Sequence, residues 1–220
     1  LDTPDFNITS CAEGTNNRGN CGEANSGIYQ ANDSDGISYY FRGGVTNNYV
    51  KFANLWWRII RINGDGSIRL IFDGISANAN GTNTPDSIAL KKQNFNVKQN
   101  DNMYVGFKYT SGEVHGLGTK SNALSGLETW YTSALSNYTN KIDTNAGFCG
   151  DRTPSTSTDS SNGSGGTGRT ITYYGAYFRL ENSKISPILT CENESDLYTV
   201  SSSTKGNKSL TYPIGLISAD

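Results

Sequence analysis

Residues 49–74, reading YVKFANLWWRIIRINGDGSIRLIFDG, constrain what this chain can fold into more than any other stretch. Two runs rich in β-branched and aromatic residues, 56–62 and 67–72, flank Asn63-Gly64-Asp65-Gly66, which supplies the positive φ a tight reversal requires. The pattern predicts a β-hairpin. Strict alternation puts Ile68, Leu70 and Phe72 on one face of the second strand. In the first strand it puts Leu55, Trp57 and Ile59 on one side and Trp56, Ile60 and Ile62 on the other. Apolar residues on both faces imply a central strand covered from both sides. Arg58, Arg61 and Arg69 interrupt the pattern. Each must end on a carboxylate or carbonyl or reach the sheet edge, because an unpaired buried guanidinium is very costly.

A chain of 220 residues can bury one sizeable core, and a single domain is the expectation. With Lys+Arg 18 against Asp+Glu 20 there is no electrostatic footprint for nucleic acid and no polybasic membrane patch. Only 17% of residues are charged, and Asn, Ser and Thr supply the polarity instead. That profile suits exported β-rich domains, whose loops are built from turn formers and whose strands carry Tyr and Thr. No apolar run is long enough to span a bilayer, and residues 1–30 lack a signal-peptide pattern, so the sequence reads as a mature or excised segment. Cys11 and Cys21 lie close together, Cys149 and Cys191 far apart. Their spacing suits neither a zinc site nor a redox motif, and one histidine leaves a metal centre short of ligands. Disulfides are expected, implying an oxidising compartment. Of three connectivities, Cys11 with Cys21 and Cys149 with Cys191 is preferred.

Residues 1–36 read as an extended leader with a stapled loop, in which 27–29 form a short edge strand and 32–36 a turn. The main α+β domain, mostly β, spans 37–220: a twisted antiparallel sheet around the 55–72 hairpin, one main amphipathic helix and long loops. Strands are expected at 37–42, 103–109, 171–180 and 210–217, with a short apolar edge run at 185–191. Residues 75–102 read as loop. The helix is expected over about 126–142, opened by a capping box at Ser125 and Glu128 and ended near Gly147. Residues 153–169, TPSTSTDSSNGSGGTGR, are low-complexity and read as a flexible loop.

Candidate chemistry is sparse. His115 is the only histidine, so a Ser/His/Asp or Cys/His mechanism must use it; its Gly-rich surroundings favour an exposed loop. The run around Cys191 is faintly similar to the cysteine strand of sortase transpeptidases, but no arginine follows it to stabilise an oxyanion. Asp33 and Asp35 precede a glycine as in part of a calcium loop, without the remaining ligands. No cofactor is called for. Trp130, Tyr131, Tyr173, Tyr174 and Tyr177 lie next to loops and are the candidate ligand-binding set, since such rings give large contact area at small entropy cost.

The segments TPDF at Thr3, GIYQANDSDGISYYFRG from Gly27, NNYVKFANLWWRIIRINGDGSIRLIFDG from Asn47, ETWYTSALSNYTNKI, AGFCGDRT, YYGAYFRL and KGNKSLTYPIGLISAD together carry a likeness. The chain resembles a family of exported surface domains of Gram-positive gut bacteria, over almost its whole length. The resemblance implies a place on the cell surface, anchored to the wall or pilin-like, and an architecture similar to C-type-lectin-like domains. In that family the segment matching YPIGLISAD continues into a WTMSP-like stretch and an RPV-like strand, which this sequence does not contain; a sheet edge is therefore expected to be open or completed by another chain. The expected function is a non-enzymatic adhesion or binding module for a glycan or host protein. A pilus-type structural subunit completed by a neighbour's strand is the alternative, and a cysteine transpeptidase the third reading.

Overall fold

The computed structural model describes residues 27–42, 45, 47–76, 90, 92–98, 101, 104–154, 173–177, 188–201 and 205–218. The chain divides into two compact units, one of residues 1–89 with 188–190 and one of 90–187 with 191–220. The class is α+β, mostly antiparallel β, with one main helix and long loops. Among the described residues no helix is long and apolar enough to cross a membrane.

The first unit is one sheet of five strands: β1 (Gly27–Asp33), β2 (Gly36–Arg42), β3 (Tyr49–Phe52), β4 (Leu55–Ile62) and β5 (Ile68–Gly74). β4 is central, pairing antiparallel with β2, β3 and β5. The β4–β5 hairpin forms where the sequence places it. Its turn closes through Asn63 N–H to Ser67 O and Gly66 N–H to Asn63 O, both 2.8 Å, and Gly66 carries the positive φ of 86°. A second hairpin joins β3 to β4 through Ala53 and Asn54, both at positive φ, the pattern of a type I′ turn.

Three expectations for this unit need correction. β1 is a full seven-residue strand registered against β2 from Gly27↔Arg42 to Asp33↔Gly36, so residues 27–36 belong to the sheet and not to a leader. The reason is the turn: Asp33 Oδ1 accepts the Asp35 N–H at 2.7 Å, and Gly36 takes a φ of 138° that closes a tight reversal. Alternation along β4 also breaks. The register shifts between Ile59 and Arg61, so Ile62 sits opposite Ile68 on the face of Trp57 and Ile59. Cover from both sides is not complete either, because Trp57 is buried while Ile62 is exposed.

Arg58 and Arg61 end as expected of structural groups. Arg58 donates from Nη2 to Val45 O at 2.5 Å and from Nε to Asn48 Oδ1 at 3.3 Å, and lies over the Tyr49 ring. Arg61 donates from Nε to Asn63 Oδ1 at 2.6 Å, with Asp33 and Asp65 supplying opposite charge. Arg69 stands across the ladder from Arg61.

The second unit contains β6 (Lys108–Tyr109) paired with β7 (Thr119–Lys120), helix α1 (Asn122–Ala134), a 3-10 helix (Ser136–Lys141), and β8 (Phe148–Cys149) paired with β9 (Leu197–Tyr198). Its core is Phe107, Leu124, Tyr198 and Leu210, with Leu117, Leu127, Phe148 and Val200 packed against it. Full burial of a side chain such as Leu124 contributes about 2 kcal/mol.

The helix starts earlier than 126. Ser121 is the N-cap, accepting the Leu124 N–H at 3.1 Å, while Ser125 Oγ donates back to Ser121 O. Serine is a favoured N-cap at either position, and although only Ser125 has the capping-box glutamate, tertiary contacts decide. Ser121 N–H is bound to Phe107 O at 2.8 Å, Ala123 and Leu124 enter the core, and Glu128 pairs with Lys120 at 2.6 Å. The α-helix ends at Leu135, and the Gly147 position is occupied by close packing on Leu197.

Of the expected strand at 103–109, the described residues 104–109 form strand only at 108–109. Gly106 interrupts it with a φ of 94°, and a Cβ there would lie 2.4 Å from Arg152 Cδ. Residues 173–177 make a bridge from Tyr174 to Pro154 and then one helical turn, Gly175–Tyr177, instead of a strand. Residues 188–191 and 210–217 are irregular. Pro213 lacks an N–H, the Tyr212 ring stacks on Tyr131, and a Cβ at Gly215 would meet Phe148 at 2.4 Å; packing replaces ladder bonds there. The proposed Cys11–Cys21 bridge, the rest of the 171–180 and 185–191 runs, and most of the 153–169 loop lie outside the described residues.

Candidate functional site

A cluster of ionisable groups lies in the second unit around the β8–β9 pair. The loop after Cys149 passes through Gly150, whose N–H binds Asp196 O at 2.8 Å, and Asp151 at a φ of 46°, which delivers Arg152 inward. Arg152 and Asp196 are each only 1% exposed. Arg152 Nε donates to Asp196 Oδ1 at 2.7 Å, Nη2 sits 2.6 Å from the same oxygen, and the Arg152 N–H donates to Oδ2 at 2.7 Å. Arg152 Nη1 donates to Lys108 O at 2.8 Å and Gly116 O at 3.1 Å, and the guanidinium carbon lies 5.4 Å from the Tyr198 ring centre. The missing side chain at Gly106 is the room this arginine needs. Burial pushes the Tyr198 hydroxyl above its ordinary value; the Arg152 charge and the bond that the Lys108 N–H donates to the phenol oxygen oppose that rise, and the Asp196 charge adds to it.

His115 joins the same hub. Its Nδ1 is 2.9 Å from Asp196 Oδ1 and its Nε2 is 3.1 Å from Asn193 Nδ2. A carboxylate behind Nδ1 is the arrangement that orients a general base. A base needs a hydroxyl or thiol in front of Nε2, and here that position is taken by an amide donor. The neighbouring hydroxyl, Ser195 Oγ, donates to Asn193 Oδ1 at 2.6 Å. Cys149 and Cys191 are joined in a disulfide, as expected from their spacing, so Cys191 does not offer the free thiol a transpeptidase requires.

The sequence singled out His115 but not its partners. Arg152 and Asp196 are 44 residues apart, and each read locally as an ordinary loop charge. The one available signal was the FCGDR segment, in which a charged pair follows a strand cysteine.

The aromatic candidates divide. Tyr131 is 2% exposed and stacks on Tyr212 at 4.8 Å between ring centres, so its ring is used inside the unit. Burial, with the Tyr212 charge adding to it, raises its hydroxyl pKa. Trp130 is half-buried beside it on α1. Tyr173 and Tyr174 are half-buried, and burial raises the Tyr174 hydroxyl against the opposing Arg152 charge. The side chain of Tyr177 lies outside the described residues.

Asp33 is a fastening between two turns. Its Oδ2 accepts Ser38 Oγ at 2.5 Å and the Gly64 N–H at 2.9 Å, tying the β1–β2 turn to the β4–β5 turn. Burial works to raise its carboxyl, but the bonds from Ser38, Gly64 and Asp35 and the Arg61 charge outweigh it and hold the pKa below the ordinary range. Its oxygens are thus committed to protein donors. Among the described residues no group of three or more His, Cys, Asp and Glu is placed to hold a metal ion.

A surface feature of the first unit completes the survey. Registers place Ile28, Gln30 and Asn32 of β1, Ile37, Tyr39 and Phe41 of β2, Ile62 of β4 and Ile68 of β5 on one face. Ile37 and Ile68 are 53% and 57% exposed, and Ile28, Tyr39 and Ile62 are exposed beside them. On the opposite face of β2, Ser38 is fully buried. Polarity across this part of the sheet is inverted, and the outward face carries no charged side chain among these eight residues.

No family model matches the chain, and no curated protein or solved structure gives a match.

Proposed function

We propose that this chain is an exported, non-enzymatic binding module of a bacterial cell surface, and that its ligand is a host or neighbouring protein with an apolar, uncharged surface. The observation that carries this reading is the exposed row of Ile28, Ile37, Tyr39, Ile62 and Ile68 over a buried Ser38. Five exposed apolar side chains side by side on one face are more than scattered surface residues explain, and contiguous patches of this kind mark association sites. Four isoleucines and one tyrosine favour a protein over a sugar, because sugars are gripped by aromatic faces with polar partners. The Cys149–Cys191 bridge and the resemblance to exported Gram-positive surface domains support an extracellular setting.

The test is binding of the purified, oxidised chain to panels of glycans and host matrix proteins, with Ile37→Glu and Ile68→Lys variants. Saturable binding to a protein that both variants lose is the expected result. Binding to a glycan that both variants retain would overturn the assignment of this face.

A second reading, a structural subunit completed by a neighbour's strand, rests on β1 and β5. Among the described residues each pairs along one edge only, and such an edge accepts an added strand. Sizing of the intact protein separates the two: concentration-dependent assembly that proline substitutions in β1 or β5 abolish favours the structural subunit.

A further inference from the structure

We infer that His115 is a proton-operated latch on the loop between Cys191 and β9, and that its protonation rearranges residues 192–196 as a unit. The inference stands independently of the binding reading above. Asn193 Oδ1 accepts two bonds, from the Ser195 N–H at 3.0 Å and from Ser195 Oγ at 2.6 Å. That fixes the amide so that Nδ2 faces the imidazole. Nε2 must then be an acceptor, which leaves the single ring proton on Nδ1, the nitrogen 2.9 Å from Asp196 Oδ1. The folded loop therefore specifies one tautomer of a neutral ring.

A proton added to Nε2 sets a ring N–H against an amide N–H. The local remedy is to rotate the Asn193 amide so that Oδ1 accepts from the imidazolium. That rotation withdraws the cap from Ser195 and loosens the 3-10 turn Glu194–Asp196, whose first free donor it satisfies.

Charged groups surround the ring: Asp196 Oδ1 lies 2.9 Å from Nδ1, and Arg152 Nη2 lies 2.6 Å from the same oxygen. Glu113 lies on His115's own turn, and Glu192 and Glu194 lie on the facing loop. The ring is 23% exposed, so protons reach it from solvent. Movement is bounded at one end by the Cys149–Cys191 bridge and at the other by β9, which confines it to a few residues. A surface segment that changes shape in acid, driven by the chain's one histidine, is the outcome.

Nuclear magnetic resonance on the full, oxidised chain tests this, since a single histidine gives one unambiguous imidazole signal. Above neutrality the ring nitrogens should report the Nδ1–H tautomer. On titration between about pH 8 and pH 5, the Ser195 amide and Asn193 side-chain signals should move with the His115 midpoint. Protection of the Ser195 and Asp196 amides, corrected for intrinsic exchange, should fall about tenfold. His115→Gln should abolish the coupled shifts. Asn193→Asp, which can accept from Ser195 and the imidazolium together, should keep the turn ordered in acid and serves even where His115→Gln does not fold. An Nε2–H tautomer above neutrality, or a His115 titration that leaves Ser195 and Asn193 unmoved, would overturn the inference.

Discussion

Replacing Arg152 with leucine removes one partner of a 1%-exposed ion pair while roughly conserving apolar volume. Asp196 Oδ1 then loses Nε at 2.7 Å and Nη2 at 2.6 Å and keeps the His115 contact, while Oδ2 keeps the backbone N–H at position 152. Leaving a buried charge without its partner costs about 3–5 kcal/mol. Gly116 O loses its 3.1 Å donor as well, adding about 1 kcal/mol, whereas Lys108 O retains the Tyr198 hydroxyl at 3.2 Å. The total, about 4–6 kcal/mol, approaches the whole stability of an ordinary domain. Arg152→Lys keeps a charge but not the fork of donors, and should fall between. The coupling is isolated by a double-mutant cycle with Asp196→Asn. Hydrogen exchange read by mass spectrometry is the suitable assay, because it reports peptides of residues 105–154 and 191–210 separately from those of the sheet. Those second-unit peptides should lose protection in Arg152→Leu while peptides covering 49–74 keep theirs. The reasoning is refuted by a loss under about 1 kcal/mol, or by single-mutant effects that simply add in the double mutant.

Four further outcomes follow from the same geometry. The depressed Asp33 carboxyl adds stability above its unfolded pKa, about 3.9, that is lost as pH falls through the lower folded value; Asp33→Asn should lower neutral stability and flatten the acid limb of a thermal-melting profile below about pH 4. Gly64→Ala would place a Cβ 2.5 Å from the Gly36 nitrogen, which is backbone and cannot swing aside, so about 1–3 kcal/mol should be lost in urea unfolding. Ser121→Ala should cost about 1 kcal/mol of cap energy while Ser125→Ala costs far less, the reverse of the order the local capping box implies. Opening the Cys149–Cys191 bridge by Cys191→Ser, with a sequence separation of 42, should cost about 4 kcal/mol on the chain-entropy argument, read as a drop in melting midpoint relative to the oxidised chain.

The sequence by itself determined what short-range chemistry controls. The β4–β5 hairpin is written in its strands and in Gly66, and the need for structural arginine partners follows from burying guanidinium groups at all. The Cys149–Cys191 pairing and the existence of an amphipathic helix were legible for similar reasons. Only tertiary structure decided the rest. Of two serines four residues apart the capping box favours the second, Ser125, yet the Phe107 carbonyl and the burial of Leu124 select the first. One extra residue in β4 turns Ile62 to the other face, which no alternation rule anticipates. The runs at 171–180 and 210–217 have strand composition, yet their described parts follow a single bridge to Pro154 and packing against Tyr131 and Phe148, because an extended ladder requires a partner strand that a sequence pattern cannot provide. The hub of His115, Arg152, Asn193 and Asp196 was invisible for the same physical reason: it joins three separate stretches of the chain, and only the tertiary fold brings His115 and Arg152 each within 3 Å of Asp196.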